Sequence, residues 1–201
     1  MGLHGVAIDG SVGDEELSAP RFDPFWAKAE ELGAFVFMHP QPAQGTTQNM
    51  RLQGRGGLGN MIGNPLETTV FLSHMIVEGT LDRFPKLKIC GAHGGGYLAS
   101  YSGRSDAVCG RGGGGGADCR SLKKKPSDYF KDQILSDTIV FHEENLRHLI
   151  AECGVGQIVY GTDYPFDWPV GVDFILNAAI LSNADKEAIL GGTAAKLLRS
   201  A

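Results

Sequence analysis

Short apolar runs alternate with stretches of helical periodicity along most of this 201-residue chain. Gly5-Val6-Ala7-Ile8-Asp9 reads as a strand, and Pro24 to Leu32 follows as a helix with proline at its start and Gly33 past its end. Phe35-Val36-Phe37-Met38 makes a second strand, 35–39, before a Gly-, Gln- and Asn-rich loop from Gln41 to Gly63. Asn64-Pro65-Leu66-Glu67 predicts a helix start. Asn64 would cap, Pro65 would occupy the first turn, and Glu67 would complement the free amides and the helix dipole. That helix is expected to reach about Phe84, with Val70, Phe71, Met75 and Ile76 on its apolar face. A strand at 87–92 and a helix after the Gly94-Gly95-Gly96 turn come next, then a low-complexity loop from Gly110 to Lys125. Strand 134–141, helix 143–153, strand 157–161 and two C-terminal helices complete the pattern, with Asp185 complementing Ser182.

Strands separated by helices of this length imply parallel pairing with right-handed crossovers. The fold class is therefore α/β, in one domain over residues 1–201, with about five βα units. A closed (β/α)8 barrel needs eight units and roughly 250 residues. Five units leave two architectures: an open doubly wound sheet, or the C-terminal portion of a larger barrel.

Candidate chemistry sits where strands run out. The second strand delivers His39-Pro40, strand 87–92 delivers His93-Gly94-Gly95-Gly96, and the strand at 157–161 delivers Thr162-Asp163-Tyr164-Pro165-Phe166. Each residue alone has a structural explanation, as a strand-end histidine or a turn-capping carboxylate. Three separate strand ends flanked by Gly or Pro make that explanation strained, and point to a metal-dependent site at one edge of the sheet. No His-x-His occurs in the chain. His74 reads as a structural histidine on a helix, His148 as a solvent-side helix residue, and His4 lies at the wrong end of its strand. His142, at the end of strand 134–141, could face the site or not.

The Gly94–Gly96 turn lacks the G-x-G-x-x-G order, and no acid stands at a strand end about 20 residues on, which argues against a dinucleotide fingerprint. Its glycines would instead bring backbone close to a metal-bound substrate. The glycines at 112–116 read as flexible linker.

A net charge of −5 argues against a nucleic-acid partner, and Lys123-Lys124-Lys125 reads as loop decoration. No apolar stretch approaches the roughly 20 residues of a membrane span, and no signal peptide is indicated. The cysteines at 90, 109, 119 and 153 lack paired spacing. Cys90 and Cys153 are expected to be buried, and a reduced, cytoplasmic protein is the simplest expectation.

The ordered series Asn64-Pro65-Leu66-Glu67-Thr68, Phe84-Pro85-Lys86-Leu87-Lys88, His93-Gly94-Gly95-Gly96 and Gly161-Thr162-Asp163-Tyr164-Pro165-Phe166 resembles the amidohydrolase-related family. The likeness is to its aminocarboxymuconate-semialdehyde decarboxylase-like branch and spans Gly5 to Leu198. It implies a metal-dependent TIM barrel whose ligands are a His-x-His on the first strand, a histidine on the fifth and an aspartate on the eighth. By that resemblance His39 is the fifth-strand ligand, Asp163 the eighth-strand ligand and a participant in catalysis, and His93 a catalytic acid/base. Arg104 matches an arginine that reaches a neighbouring subunit's site in a homodimer and binds substrate carboxylate. Loop 41–63 would cover the mouth, with Arg51 or Arg55 as further carboxylate contacts. The implied cofactor is a divalent metal, Zn2+ first and Mn2+ second, with no organic cofactor. The sequence begins at what would be the fourth strand, so the His-x-His strand and its two neighbours are expected to be absent.

Three functions follow as expectations. The first is a carboxy-lyase acting on a small unsaturated or aromatic carboxylic acid. The second is hydrolysis of an ester, amide or lactone by the same groups. The third is a catalytically inactive partial barrel that acts only through association.

Overall fold

The computed structural model describes residues 2–41, 52, 55–110 and 119–199. Seven strands are present among them: β1 (Gly5–Ile8), β2 (Ser11–Val12), β3 (Glu15–Glu16), β4 (Phe35–Met38), β5 (Lys88–Gly91), β6 (Ile134–Asp137) and β7 (Ile158–Val159). β2 and β3 form a small antiparallel pair. The other five form one sheet in the order β1-β4-β5-β6-β7, with every pairing parallel. The helices that return the chain are α1 (Asp23–Glu31), α2 (Asn64–Val77), α3 (Thr80–Arg83), α5 (Ser102–Gly110), α6 (Glu143–Cys153), α7 (Val172–Leu176), α8 (Asn183–Glu187) and α9 (Thr193–Arg199), and between α3 and α5 the segment α4 (Ala92–Gly95) is a turn with left-handed backbone at His93 and Gly94.

Strand alternation divides the apolar residues between two faces. Val36, Met38, Ile89, Ile134 and Ile158 point to the helical layer, where they meet Phe71, Leu72, Met75, Leu146 and Leu149. Cys90, Leu135 and Val159 point the other way, toward Phe35, Phe37 and the α9 residues Ala194 and Leu197. Trp26 of α1 is fully buried in the helical layer, with its indole N–H donating to the Leu17 carbonyl at 2.7 Å. Burial of one such large side chain contributes about 2–3 kcal/mol. β1 lies at the edge of the sheet, and Val6 on it is 40% exposed.

Several boundaries differ from expectation. Strand 134–141 stops at Asp137, because that residue's carboxylate accepts the Ile139 N–H at 3.0 Å and turns the chain out of the ladder. The last strand ends at Val159, since the Tyr160 N–H donates to the Ile189 carbonyl instead of to a neighbouring strand. Asn64 does not cap α2: a π-helical turn, Gly59–Gly63, runs straight into the helix, and Glu67 is buried. The helix expected to reach Phe84 breaks at Gly79, whose φ of 73° no helix accommodates. Ser182 and Asp185 form the expected reciprocal capping pair at α8. Cys109 and Cys119 are not reduced. They form a disulfide, which their Cα separation of 5.0 Å permits, while Cys90 and Cys153 are free and buried. Among the described residues no helix is long and apolar enough to cross a membrane.

The Gly94–Gly96 turn packs tightly against protein, although Gly94 and Gly96 also line a cavity. A Cβ on Gly94 would come within 2.5 Å of the Val140 side chain. One on Gly96 would overlap the Pro65 carbonyl and the Thr69 hydroxyl, at a φ of 67°. The Tyr97 N–H donates to that same hydroxyl at 2.8 Å, fastening the turn to the N-terminal half of α2. Gly96→Ala is therefore expected to cost about 3 kcal/mol in urea unfolding, from strain and overlap together. Gly103→Ala, on α5 with open space around its Cα, should be neutral or slightly stabilising. Equal effects at the two positions would mean the turn does not need this packing.

Candidate metal centre at the sheet edge

Parallel pairing puts the C-terminal ends of β4, β5, β6 and β7 along one edge, so the residues leaving those strands become neighbours. His39 leaves β4 with its N–H donating to the Ile8 carbonyl of β1 at 3.0 Å. His93 leaves β5 and Asp163 leaves the segment after β7, both with left-handed backbone, φ 57° and 58°. For residues other than glycine that conformation costs about 1–2 kcal/mol each and persists only where surrounding contacts impose it.

The contacts are visible. Asp137, at the end of β6, is buried and accepts the N–H groups of His93 at 3.1 Å, Gly94 at 2.8 Å and Ile139 at 3.0 Å. One carboxylate thus holds the backbone on either side of the His93 Cα. Burial pushes the Asp137 carboxyl up to about 6, and the nearby Asp163 pushes it the same way, against those three hydrogen bonds. Gly161 packs closely beside it: a Cβ there would sit 3.2 Å from the Asp137 Cβ, a tight contact.

His39, His93 and Asp163 then converge. One potential ligand atom from each lies within 4.8 Å of the others. The His39 Nε2 is 3.4 Å from the Asp163 Oδ1, and the His39 and His93 rings are 5.1 Å apart. The other oxygen of Asp163 accepts the Trp168 indole N–H at 2.6 Å. His93 Nδ1 is buried and has no hydrogen-bond partner. Burial, and secondarily the neighbouring His39, lower the His93 imidazole to about 4, with Asp163 opposing, so the ring is neutral at pH 7. The His39 imidazole and the Asp163 carboxylate make a donor pair suited to a divalent cation, with the neutral His93 imidazole beside them. The residues present fit such an ion.

Two cavities meet at Asp163. One, of about 540 Å³, lies on the inner face of the sheet against Phe35, Phe37, Cys90 and Leu197, and His39 opens into it. The other, of about 640 Å³, lies between the loops that follow the strands, lined by Met61, Tyr97, Phe141, His148 and Trp168 together with His93.

The structure brings His39, His93 and Asp163 together and leaves the expected arginines apart. Arg104 is exposed on α5 and lines neither cavity; Arg55 is exposed and lines neither; Arg51 lies outside the described residues. His142 precedes α6 with an exposed side chain away from both cavities. His148 is exposed, as expected of a solvent-side residue, and also lines the larger one. His74 pairs with Glu78 at 2.6 Å and with Glu16 at 3.7 Å, a structural role as expected. Sequence reasoning missed Asp137 and Trp168. Asp137 carried the same strand-end signal as the other three, hidden because the apolar residues after it prolonged the apparent strand.

Comparison with known proteins agrees with the fold. The chain is 32% identical over 204 residues to the 2-amino-3-carboxymuconate-6-semialdehyde decarboxylase of Dictyostelium discoideum, covering 98% of this chain and 54% of that protein. It superposes on the 5-carboxyvanillate decarboxylase of Sphingomonas paucimobilis with a TM-score of 0.88 and 30% identity, over 98% of this chain and 58% of that one. A dihydroxybenzoic acid decarboxylase from Polaromonas, solved with bound manganese and an inhibitor, matches in fold at a TM-score of 0.80 and 24% identity, over 98% of this chain and 61% of that one. The chain spans about half the length of the curated relative, and its five parallel strands are a portion of the TIM barrel that its structural neighbours share. An amidohydrolase family model matches residues 1–200, and the chain belongs to that family, Amidohydro_2.

Proposed function

We propose that this chain carries the His39, His93 and Asp163 part of a metal-dependent decarboxylase site for a small unsaturated or aromatic carboxylic acid. The observation that carries the reading is the convergence of three donor side chains from three strand ends, one with an unpartnered buried nitrogen. The names of the relatives, decarboxylases of carboxylated aromatic or muconate compounds, support the reaction class.

His39 and Asp163 would hold the ion. Zinc suits imidazole and carboxylate donors, and manganese is the alternative. When bound, the ion supplies Lewis acidity and a fixed point of attachment for substrate oxygen. Decarboxylation replaces a carbon–carboxylate bond by a carbon–hydrogen bond: a proton is delivered to that carbon, and the electron pair left by departing carbon dioxide restores the unsaturated system. His93, neutral at pH 7 and next to both other groups, is placed to accept and return that proton. Asp137 holds the His93 backbone, so the imidazole needs little reorganisation in the reaction. The aromatic lining of the larger cavity, Phe141 and Trp168, suits a planar substrate. Arg104, exposed on α5, is available to a second copy of the chain, which fits its proposed role across a homodimer.

The direct test offers a panel of aromatic carboxylates and lactones to the protein and follows release of carbon dioxide. Carbon dioxide release supports the lyase; ring opening of lactones without it would replace this reading by hydrolysis. The 201-residue chain should bind zinc weakly and turn over little, whereas a version extended through a His-x-His strand should do both, because catalytic zinc sites use three or more protein ligands. His93→Ala in the extended version should abolish turnover and leave metal content nearly intact, by elemental analysis. Loss of the metal would make His93 a ligand, and stoichiometric zinc with full turnover in the short chain would show that the added strand is dispensable.

A pH measurement addresses His93 separately. Its folded-state value, about 4, is depressed below the ordinary 6.5, so unfolded chain takes up a proton in that window and folded chain does not. The stability this residue contributes is complete above pH 6.5 and falls by about 3 kcal/mol as pH drops to 4. Asp137, raised from 3.8 to about 6, acts in the opposite sense: its contribution is present below pH 3.8 and is lost as pH rises through 6. Comparing the metal-free wild type with His93→Asn cancels the Asp137 contribution. The cost of that substitution in urea unfolding should shrink by about 3 kcal/mol between pH 6.5 and pH 4. A constant cost would mean His93 titrates normally.

A further inference from the structure

The loop after Asp163 returns a side chain to it. Trp168, five residues on, donates its indole N–H to Asp163 Oδ2 at 2.6 Å, while Oδ1 faces His39. That donor is firmly aimed. The indole ring meets Phe141 edge-on at 5.7 Å and Phe166 at 6.1 Å, and the Trp168 carbonyl accepts the Val170 N–H at 2.8 Å. The residue is itself exposed, at 37%, so these ring contacts and the hydrogen bond are what hold it. A short hydrogen bond to an ionised carboxylate is among the stronger ones available to a side chain, and it occupies the oxygen that receives it.

We propose that Trp168 is a positioning residue for the metal centre: its indole N–H engages Oδ2 of Asp163, so that Oδ1 alone is presented to the ion beside His39 and His93. The inference rests on the metal reading above and extends it to a residue outside the donor set. It has a second consequence, because the same ring forms part of the wall of the larger cavity. A planar ligand that displaces the indole also releases the outer oxygen of Asp163, which couples occupancy of that cavity to the geometry of the metal ligand. Asp163 has a left-handed backbone and a side chain only 10% exposed, and its carboxylate is engaged from two sides between the two cavities, by the Trp168 indole on Oδ2 and by His39 beside Oδ1.

The chain has two tryptophans, and the other, Trp26, is buried in the helical layer with its N–H on a backbone carbonyl. Two indole N–H resonances are therefore expected in a nitrogen–proton correlation spectrum of metal-free protein, with Trp168→Phe assigning them. Asp163→Ala should move the Trp168 resonance and leave that of Trp26 in place; an unmoved Trp168 resonance overturns the proposal without reference to any metal. Cobalt(II), added to the full chain, should quench the Trp168 share of the fluorescence. Trp168→Phe, which keeps the aromatic wall and removes the donor, should weaken cobalt(II) binding about tenfold at an unchanged melting temperature. Trp168→His, which restores a ring N–H, should recover part of that loss. Affinity unchanged in Trp168→Phe overturns the proposal. Binding by the wild-type chain is expected to be weak, so a wild-type chain that takes up no cobalt(II) even in large molar excess, while Asp163→Ala still shifts the indole resonance, overturns the metal reading and leaves the carboxylate-positioning role standing.

Discussion

A single buried carboxylate organises the edge of the sheet. Asp137 accepts three backbone N–H groups, two of them from the turn that carries His93 and one from its own strand's continuation. Without an acceptor, those amides would be buried and unpaired, each costing about 1–3 kcal/mol. With it, β6 ends on cue and the β5 turn is held in a backbone conformation that a histidine does not otherwise favour. The arrangement is costly to the carboxylate itself, as its upward-shifted ionisation shows. Structure and site share that cost: the same atoms terminate a strand and aim an imidazole.

The remaining geometry follows from parallel pairing. Because β1, β4, β5, β6 and β7 all run the same way, every strand exit lies on one rim, and chemistry-bearing residues far apart in sequence meet there. His39 and Asp163 are 124 positions apart and lie 3.4 Å from one another. The helical layer behind the sheet keeps the rim rigid through residues such as Phe71, Leu72 and Leu149, and the Gly94–Gly96 turn is pressed between α2 and β6. Rigidity at that turn suits a site whose donors must not drift apart before an ion arrives.

Much of this was legible in the sequence. The strands expected at 35–39, 87–92 and 134–141 fall on β4, β5 and β6, because buried parallel strands are apolar on both faces, although the third expectation overran its strand by four residues. The strand-end rule then selected His39, His93 and Asp163. What escaped depends on hydrogen bonds that periodicity cannot register. Thr138-Ile139-Val140-Phe141 continues an apolar pattern, so nothing in it shows that Asp137 has already captured the Ile139 amide. Met61 and Ile62, set among glycines, read as loop although they belong to a π-helical turn leading into α2. Cys109 and Cys119 pair because the chain brings their backbones together, and the glycine run between them gives no spacing signal. Trp168 sits in a segment without periodicity, and its relation to Asp163 is purely spatial.

The inner face of the sheet has one further implication. Ala194, Leu197 and Leu198 of α9 form part of the floor of the smaller cavity, opposite His39 and Asp163. The final helix is thus furniture of the site and not a trailing end. A protease cut, a fluorescent label or a fused domain introduced in that helix would act directly on whatever the cavity holds. Binding data gathered from protein altered there would describe the alteration as much as the ligand.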